Sequence, residues 1–325
     1  MAQTTDCNTP TSSRHGKPVS TQIELLKRLA TQPKAIIGLV LLILFFLMAI
    51  FSPLLAPYDP HQYVGLANQA PSAEHWLGTT GQGQDVFSQL VYGARVSLFI
   101  GFTVGILSTL LGLIVGLISG YLPGLVDGVL NVFTNVFLLI PGLPLLITLA
   151  SFLPQGMVTV ILVLTFTGWA WPARTFRSQM LCLREKDFVS ASVVSGEGMP
   201  RIVFSEILPN MLSLVMSSLF GAVIYAIGSD AGLAFLGFEN VNVISWGTML
   251  YWASNSSALL QEAWWTFLPP GLCIALVSFA TTMLIYAMDE LTNPRLRSEK
   301  EITRVLKKYH ITSRRSTPVL NEPIE

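Results

Sequence analysis

What this chain has little of is charge. Asp, Glu, Lys and Arg make up 12% of its 325 residues, about half of the roughly 25% typical of a soluble domain. Apolar residues make up 51%. A water-facing globule is excluded on that balance, and with 19 basic against 19 acidic residues no nucleic-acid partner is expected. Cysteine is scarce too. Cys7, Cys182 and Cys273 lie far apart with no Cys-x-x-Cys pair, so no zinc site is indicated. The histidines, His15, His61, His75 and His310, are scattered, and His-Glu-x-x-His is missing. So are the Gly-x4-Gly-Lys-Ser/Thr phosphate loop and the Gly-x-Ser-x-Gly elbow. No catalytic, cofactor-binding or metal-ligating residues are therefore expected. A cleavable secretory leader is not expected either, because the first apolar run begins only near Ala35, after a long polar tail.

What is present is apolar runs, and there are six: 35–56, 96–119, 128–153, 157–173, 211–229 and 263–288. A helix needs about 20 apolar residues to cross the hydrocarbon core. Five of the six reach or approach that length, and 157–173 is short. Lipid offers no hydrogen bonds to an open backbone, so the expectation is an all-α membrane protein of six transmembrane helices. All but one of the 19 basic residues fall in three segments: the tail 1–34, the loop 174–208 and the tail 291–325. Six crossings put these three on one face, and the excess of Lys and Arg makes that face, with both termini, cytoplasmic. Arg95 is the exception. The division that follows is a cytoplasmic tail 1–34, an N-terminal transmembrane helix 35–56, an extracytoplasmic connection 57–93, a helical core 94–290 and a cytoplasmic tail 291–325. Residues 1–20, rich in Thr, Ser and Pro, are expected to be disordered.

The loop 174–208 carries the most information. Phe176, Met180, Leu183, Ala191 and Val194 recur at helical steps and predict an apolar stripe on one helix. Gly196 and Gly198 then supply a turn, and Pro200 suits the first position of a second helix. That helix, 201–208, should end at Leu208-Pro209, where proline interrupts the hydrogen-bond ladder. Such a pair of helices either docks a cytoplasmic partner or lies on the lipid headgroups.

Other positions are open to two readings each. Gly101, Gly105, Gly112, Gly116 and Gly120 sit at helical spacing in the second run and suit close helix packing, or else line a path. Pro141 and Pro144 interrupt the third run; the carbonyls they free belong against protein or in a water-lined translocation cavity. Asp230 stands at the extracytoplasmic end of the fifth run, as a gate or substrate contact or as a boundary residue. Asp127 suits the N-terminus of the third helix.

Three groups of residues carry a resemblance. Ala191, Gly196, Leu208 and Pro209 keep the register of the Glu-Ala-Ala-x3-Gly-x9-Ile-x-Leu-Pro loop of ABC importer permeases; Ser190, Ser192 and Glu206 depart from it. Asp187-Phe188-Val189 and Ile207-Leu208-Pro209-Asn210 are similar to the flanks of that loop in peptide permeases. The stretches from His75 to Leu90 and from Tyr92 to Leu98, then Leu233 to Gly237, Trp246 to Leu250 and Asn293 to Arg297, resemble C-type subunits of dipeptide and oligopeptide permeases, with Gln84 where Arg is usual. From this the chain is identified as a member of that family, which also handles nickel chelates and oligosaccharides.

The resemblance implies a type I ABC importer (MetI-like) permease fold, with the type-1 core over 94–290. It implies a bacterial inner (plasma) membrane location and partners: a homologous permease, two ABC ATPase subunits that bind the ATP and Mg, an extracytoplasmic substrate-binding protein and membrane lipid. Asp187, Phe188, Ala191, Gly196, Pro200, Leu208 and Pro209 would form the ATPase-coupling loop. Pro141, Pro144 and Asp230 would belong to the translocation path. Oligopeptides are the expected cargo, with oligosaccharides or nickel chelates as alternatives. A stand-alone secondary transporter is the rival of another class, and it would want paired ionisable residues inside the spans.

Overall fold

Uncharged apolar runs close their backbone hydrogen bonds within themselves. In a computed structural model, which describes residues 32–292, the regular structure is helical apart from two isolated bridge pairs. The expectations for the two tails lie outside the described residues. Helix α1 spans Pro33–Ile50, with proline in the first turn, where its missing N–H costs nothing. Helix α2 spans Val86–Tyr121, α3 Leu125–Leu139, α4 Gly142–Phe152, α5 Met157–Gly168 and α6 Ala170–Arg184. Helix α7 spans Asp187–Val194, α8 Met199–Phe235, α9 Trp246–Asn255 and α10 Leu268–Thr292.

By length and composition α1, α2, α5 with α6, α8 and α10 can each cross a membrane. The pair α3 and α4, bent by 89°, makes a sixth span if taken as one. Pro141 is the cause of the bend: it sits at the N-cap of α4 and has no N–H with which to continue α3.

Helix α2 begins ten residues before the apolar run that announces it. Asp85 caps it by accepting from the Ser88 N–H at 2.8 Å, so the polar first turns are helical as well. At 36 residues it is about 54 Å long, well beyond a hydrocarbon core of about 30 Å. It is also the centre of the packing, touching α1, α5, α6 and α8.

The five glycines explain that contact. A Cβ on Gly101 or Gly105 would stand 2.4 or 2.5 Å from Ile227 or Val223 of α8. On Gly112, Gly116 or Gly120 it would meet Pro172, Phe176 or Met180 of α6 at 2.6–2.7 Å. One seam therefore admits two neighbours in succession, which makes it a packing device.

The segment 57–85 folds back as a cap on the N-terminal end of α2. His75 Nδ1 lies 3.0 Å from Asp85 Oδ1, and the Gln89 amide donates to the Pro60 carbonyl at 3.1 Å. The Trp265 indole donates to the Thr79 carbonyl at 3.2 Å. On the opposite side α1 turns Leu39, Val40, Leu44 and Leu47 outward, a surface that suits lipid.

Candidate functional site

At the end of the bundle away from that cap, the chain between α6 and α8 builds a short projecting knuckle. The stripe read as one helix divides here. Phe176 and Met180 are fully buried on α6 against the α2 glycines and belong to the interior. Helix α6 then stops at Arg184, whose guanidinium donates to the Tyr121 carbonyl at 3.2 Å, one of the acceptors left open at the end of α2. The chain breaks at Glu185–Lys186, and α7 starts afresh with Asp187 in its first turn, where the helix dipole favours a carboxylate.

Val189 of α7 is buried and joins Leu117, Ile202, Val203, Ile207 and Met211 in one apolar cluster. This anchors the knuckle to α2 and α8. Its other faces are apolar and uncovered: Phe188, Val193, Val194 (89% exposed), Met199 and Phe204 (65% exposed). Ala191, Gly196 and Pro200 are exposed beside them. Gly196 makes the turn. Its φ of +81° is open to glycine at little cost, and the Gly196 N–H donates to the Val193 carbonyl at 3.0 Å. The Glu197 N–H donates to the Ser192 carbonyl at 3.1 Å, completing a Schellman closure.

The sequence expectation is corrected again past the turn. Pro200 occupies the second helical position, after Met199. Pro209 does not end a helix, for the chain runs helically from Met199 through Phe235. The proline is accommodated by a π turn over Ile202–Ile207, in which the Leu208 N–H reaches back five residues to the Val203 carbonyl. A wider turn shifts the acceptor pattern just where one donor is missing. Leu208 packs against the buried cluster, while Pro209 is exposed.

Of the expected coupling residues, the structure thus gathers Asp187, Phe188, Ala191, Gly196 and Pro200 on the knuckle and sets Leu208 and Pro209 along its supporting helix. Val193, Met199 and Phe204, exposed on the same surface, are not among the residues expected from the sequence. The adjacent pair Val193-Val194, too apolar for a solvated helix end, was the available signal.

The base of the knuckle is braced by a contact across 50 residues of chain. Arg177 grips Asp127 bidentately, at 2.6 and 2.7 Å, and the Ser119 hydroxyl donates to the same carboxylate at 2.6 Å. Asp127 lies in the first turn of α3 as expected, but its bonds tie α2, α3 and α6 together.

The expected path residues occupy different settings. Pro141 and Pro144 are exposed at the bend. Asp230 is buried, within hydrogen-bonding reach of Glu239. No group of three His, Cys, Asp or Glu that could hold a metal ion is found among the described residues.

Residues 112–298 match the family described as binding-protein-dependent transport system inner membrane component. Residues 23–71 match the N-terminal TM domain of oligopeptide transport permease C. The oligopeptide transport system permease protein OppC of Bacillus subtilis is 33% identical over 267 residues, 81% of this chain and 87% of that protein. The dipeptide transport system permease protein DppC of the same organism is 33% identical, over 83% and 85%. A dipeptide permease DppC of Alkalihalophilus pseudofirmus is 34% identical, over 91% of this chain and 97% of its own length.

Proposed function

Since this chain belongs to the family of binding-protein-dependent transport system inner membrane components, we propose that it is the permease subunit of an ABC importer that carries oligopeptides across the bacterial inner membrane. It is a multi-pass membrane protein and works as a transport subunit. The relatives named for oligopeptides and dipeptides support that cargo over oligosaccharides or nickel chelates.

The observation that carries the mechanism is the knuckle. Phe188, Val193, Val194, Met199 and Phe204 are apolar, uncovered and set on a rigid base. On this reading the knuckle end is cytoplasmic and seats in one of two ABC ATPase subunits, which bind the ATP and Mg. A homologous permease completes the path, and an extracytoplasmic binding protein delivers the peptide to the opposite face. The core from 94 to 290 carries the path, and 174–208 the coupling. Moving a two-state gate from 1:99 to 99:1 takes about 5.5 kcal/mol of bias. A loop without internal packing would dissipate it. The buried cluster under α7 and the bracing of Arg177 on Asp127 let the knuckle move as one piece with α2, α6 and α8. Pro141 and Pro144, at the 89° bend, and Asp230, closed off by Glu239 in this conformation, are the residues this reading sets along the path.

The test is the double variant Phe188→Asp with Val194→Asp, expressed with its partners. Membrane level of the chain should be unchanged, because both side chains are uncovered, while peptide uptake and co-purification of the ATPase subunits are lost. Normal uptake and normal co-purification would overturn the proposal.

A further inference from the structure

The cap end of the bundle holds two carboxyl groups where packing should exclude them. Asp230 is 1% exposed and Glu239 7%. Each lies within hydrogen-bonding reach of the other, yet Asp230 Oδ1 and Glu239 Oε1 are buried with no hydrogen-bond partner.

The fold brings them together. Helix α8 ends in a Schellman closure, with the Gly237 N–H on the Ala234 carbonyl at 2.9 Å and the Phe238 N–H on the Leu233 carbonyl at 3.0 Å. Gly237, at φ +78° with the Tyr251 ring against it, reverses the chain so that Glu239 returns to α8 beside Asp230. The neighbourhood is apolar: Ala226 and Leu233 of α8 sit with Ile100, Val104 and Leu146 in one cluster, with Phe238 packed on it.

Among the described residues no cation neutralises the pair. The titratable or charged side chains among them on this half of α8 and the elements packed against it are Tyr225 of α8 itself, Tyr92 and Arg95 of α2, Tyr251 of α9 and Cys273 of α10. His61 and Tyr63 of the cap line a cavity with Val241, Asn242 and Ile244 of the returning segment. Arg95 is exposed, and the charge acting on Glu239 is that of Asp230. Two touching, buried carboxylates cannot both be ionised, so one proton is held between them. Burial, reinforced by the Asp230 charge, pushes the Glu239 carboxyl up to about 10.

We propose that Asp230 and Glu239 form a proton-binding site that latches the 236–245 segment onto α8, closing when it takes up one proton and opening when that proton leaves to water. The sign follows from linkage. Once the segment lifts, Glu239 meets water and returns to an ordinary carboxyl value near 4.5. The proton's contribution to closure is therefore fully present below that value and is lost as pH rises toward about 10. Above neutral pH and up to about 10 the closed state holds one more proton than the open one, so there the opening equilibrium rises about tenfold per pH unit.

Hydrogen–deuterium exchange on the full-length chain in its native complex tests it, followed from about pH 7.5 to pH 9.5 and corrected for the intrinsic pH dependence of exchange. Protection of the 236–245 amides should fall about tenfold per pH unit, while that of mid-α2 stays constant. In the double variant Asp230→Asn, Glu239→Gln, which has the shape of the protonated pair and no proton to lose, the fall should vanish. A flat wild-type profile, or an undiminished slope in the double variant, overturns the proposal. Should the double variant fail to reach the membrane, the wild-type slope alone decides. Because exchange is read without transport, a failure of peptide uptake bears on the proposed function and leaves this result standing.

Discussion

Gly196 and Gly198, two residues apart, make opposite demands on a side chain. At Gly196 nothing lies within 4 Å of an added Cβ, but φ is +81°. Gly196→Val therefore costs about 1–2 kcal/mol of backbone strain and re-aims the turn. Uptake should fall strongly with the chain still inserted, which transport assays and immunoblotting of membranes would read together. Gly198 is at φ −75°, so Gly198→Ala should transport normally. Gly116 is the reverse case, a matter of space. A Cβ there stands 2.7 Å from both the Ala173 carbonyl and the Phe176 side chain. Gly116→Leu should force α2 and α6 apart at a cost of about 1–3 kcal/mol or more, seen as loss of folded protein from the membrane. Asp127 and Arg177 should behave as one unit. Asp127→Asn and Arg177→Gln together should destabilise no more than either alone, with a coupling energy of about 1 kcal/mol in thermal unfolding of detergent-solubilised protein.

Among the elements, the π turn below Pro209 is the one whose removal separates stability from function. Pro209→Ala restores an N–H and a residue of high helix propensity, so the melting temperature should hold or rise. If the wide turn then tightens to an ordinary one, everything before it rotates by roughly 100° about the axis, and the knuckle faces the wrong way. Uptake should drop in a protein at least as stable as the original; unchanged uptake would mean that the turn is incidental. The sequence could announce the helices of this region but not their joints. Apolar periodicity from Phe176 to Val194 continues straight across Glu185–Lys186, where the backbone of Lys186 turns extended (φ −81°, ψ 147°), a change that side-chain spacing does not encode. Pro209 reads as a terminator in any local rule, and only the widened turn before it shows how the chain passes through.

For the molecule as a whole, the spans were readable because lipid permits only one solution for a long uncharged run, and each run became one helix or consecutive helices. What stayed hidden depends on distant partners. The start of α2 lies in polar residues satisfied by the 57–85 cap. Asp127 finds Arg177 fifty residues away, and Asp230 meets Glu239 only after the Gly237 reversal. The family resemblance supplied the proposed coupling loop as a list of positions, and the fold gathers most of them on one exposed knuckle beside Val193, Met199 and Phe204. Helix α2 has one further consequence. It is a single unbroken rod whose first turn is held by Asp85 and whose last carbonyls are held by Arg184, with α1, α5, α6 and α8 packed on it in between. Such a rod pivots like a seesaw plank: a tilt imposed on one tip reappears at the other with its direction reversed, and no relay of small side-chain shifts is needed to carry news from one side of the membrane to the other.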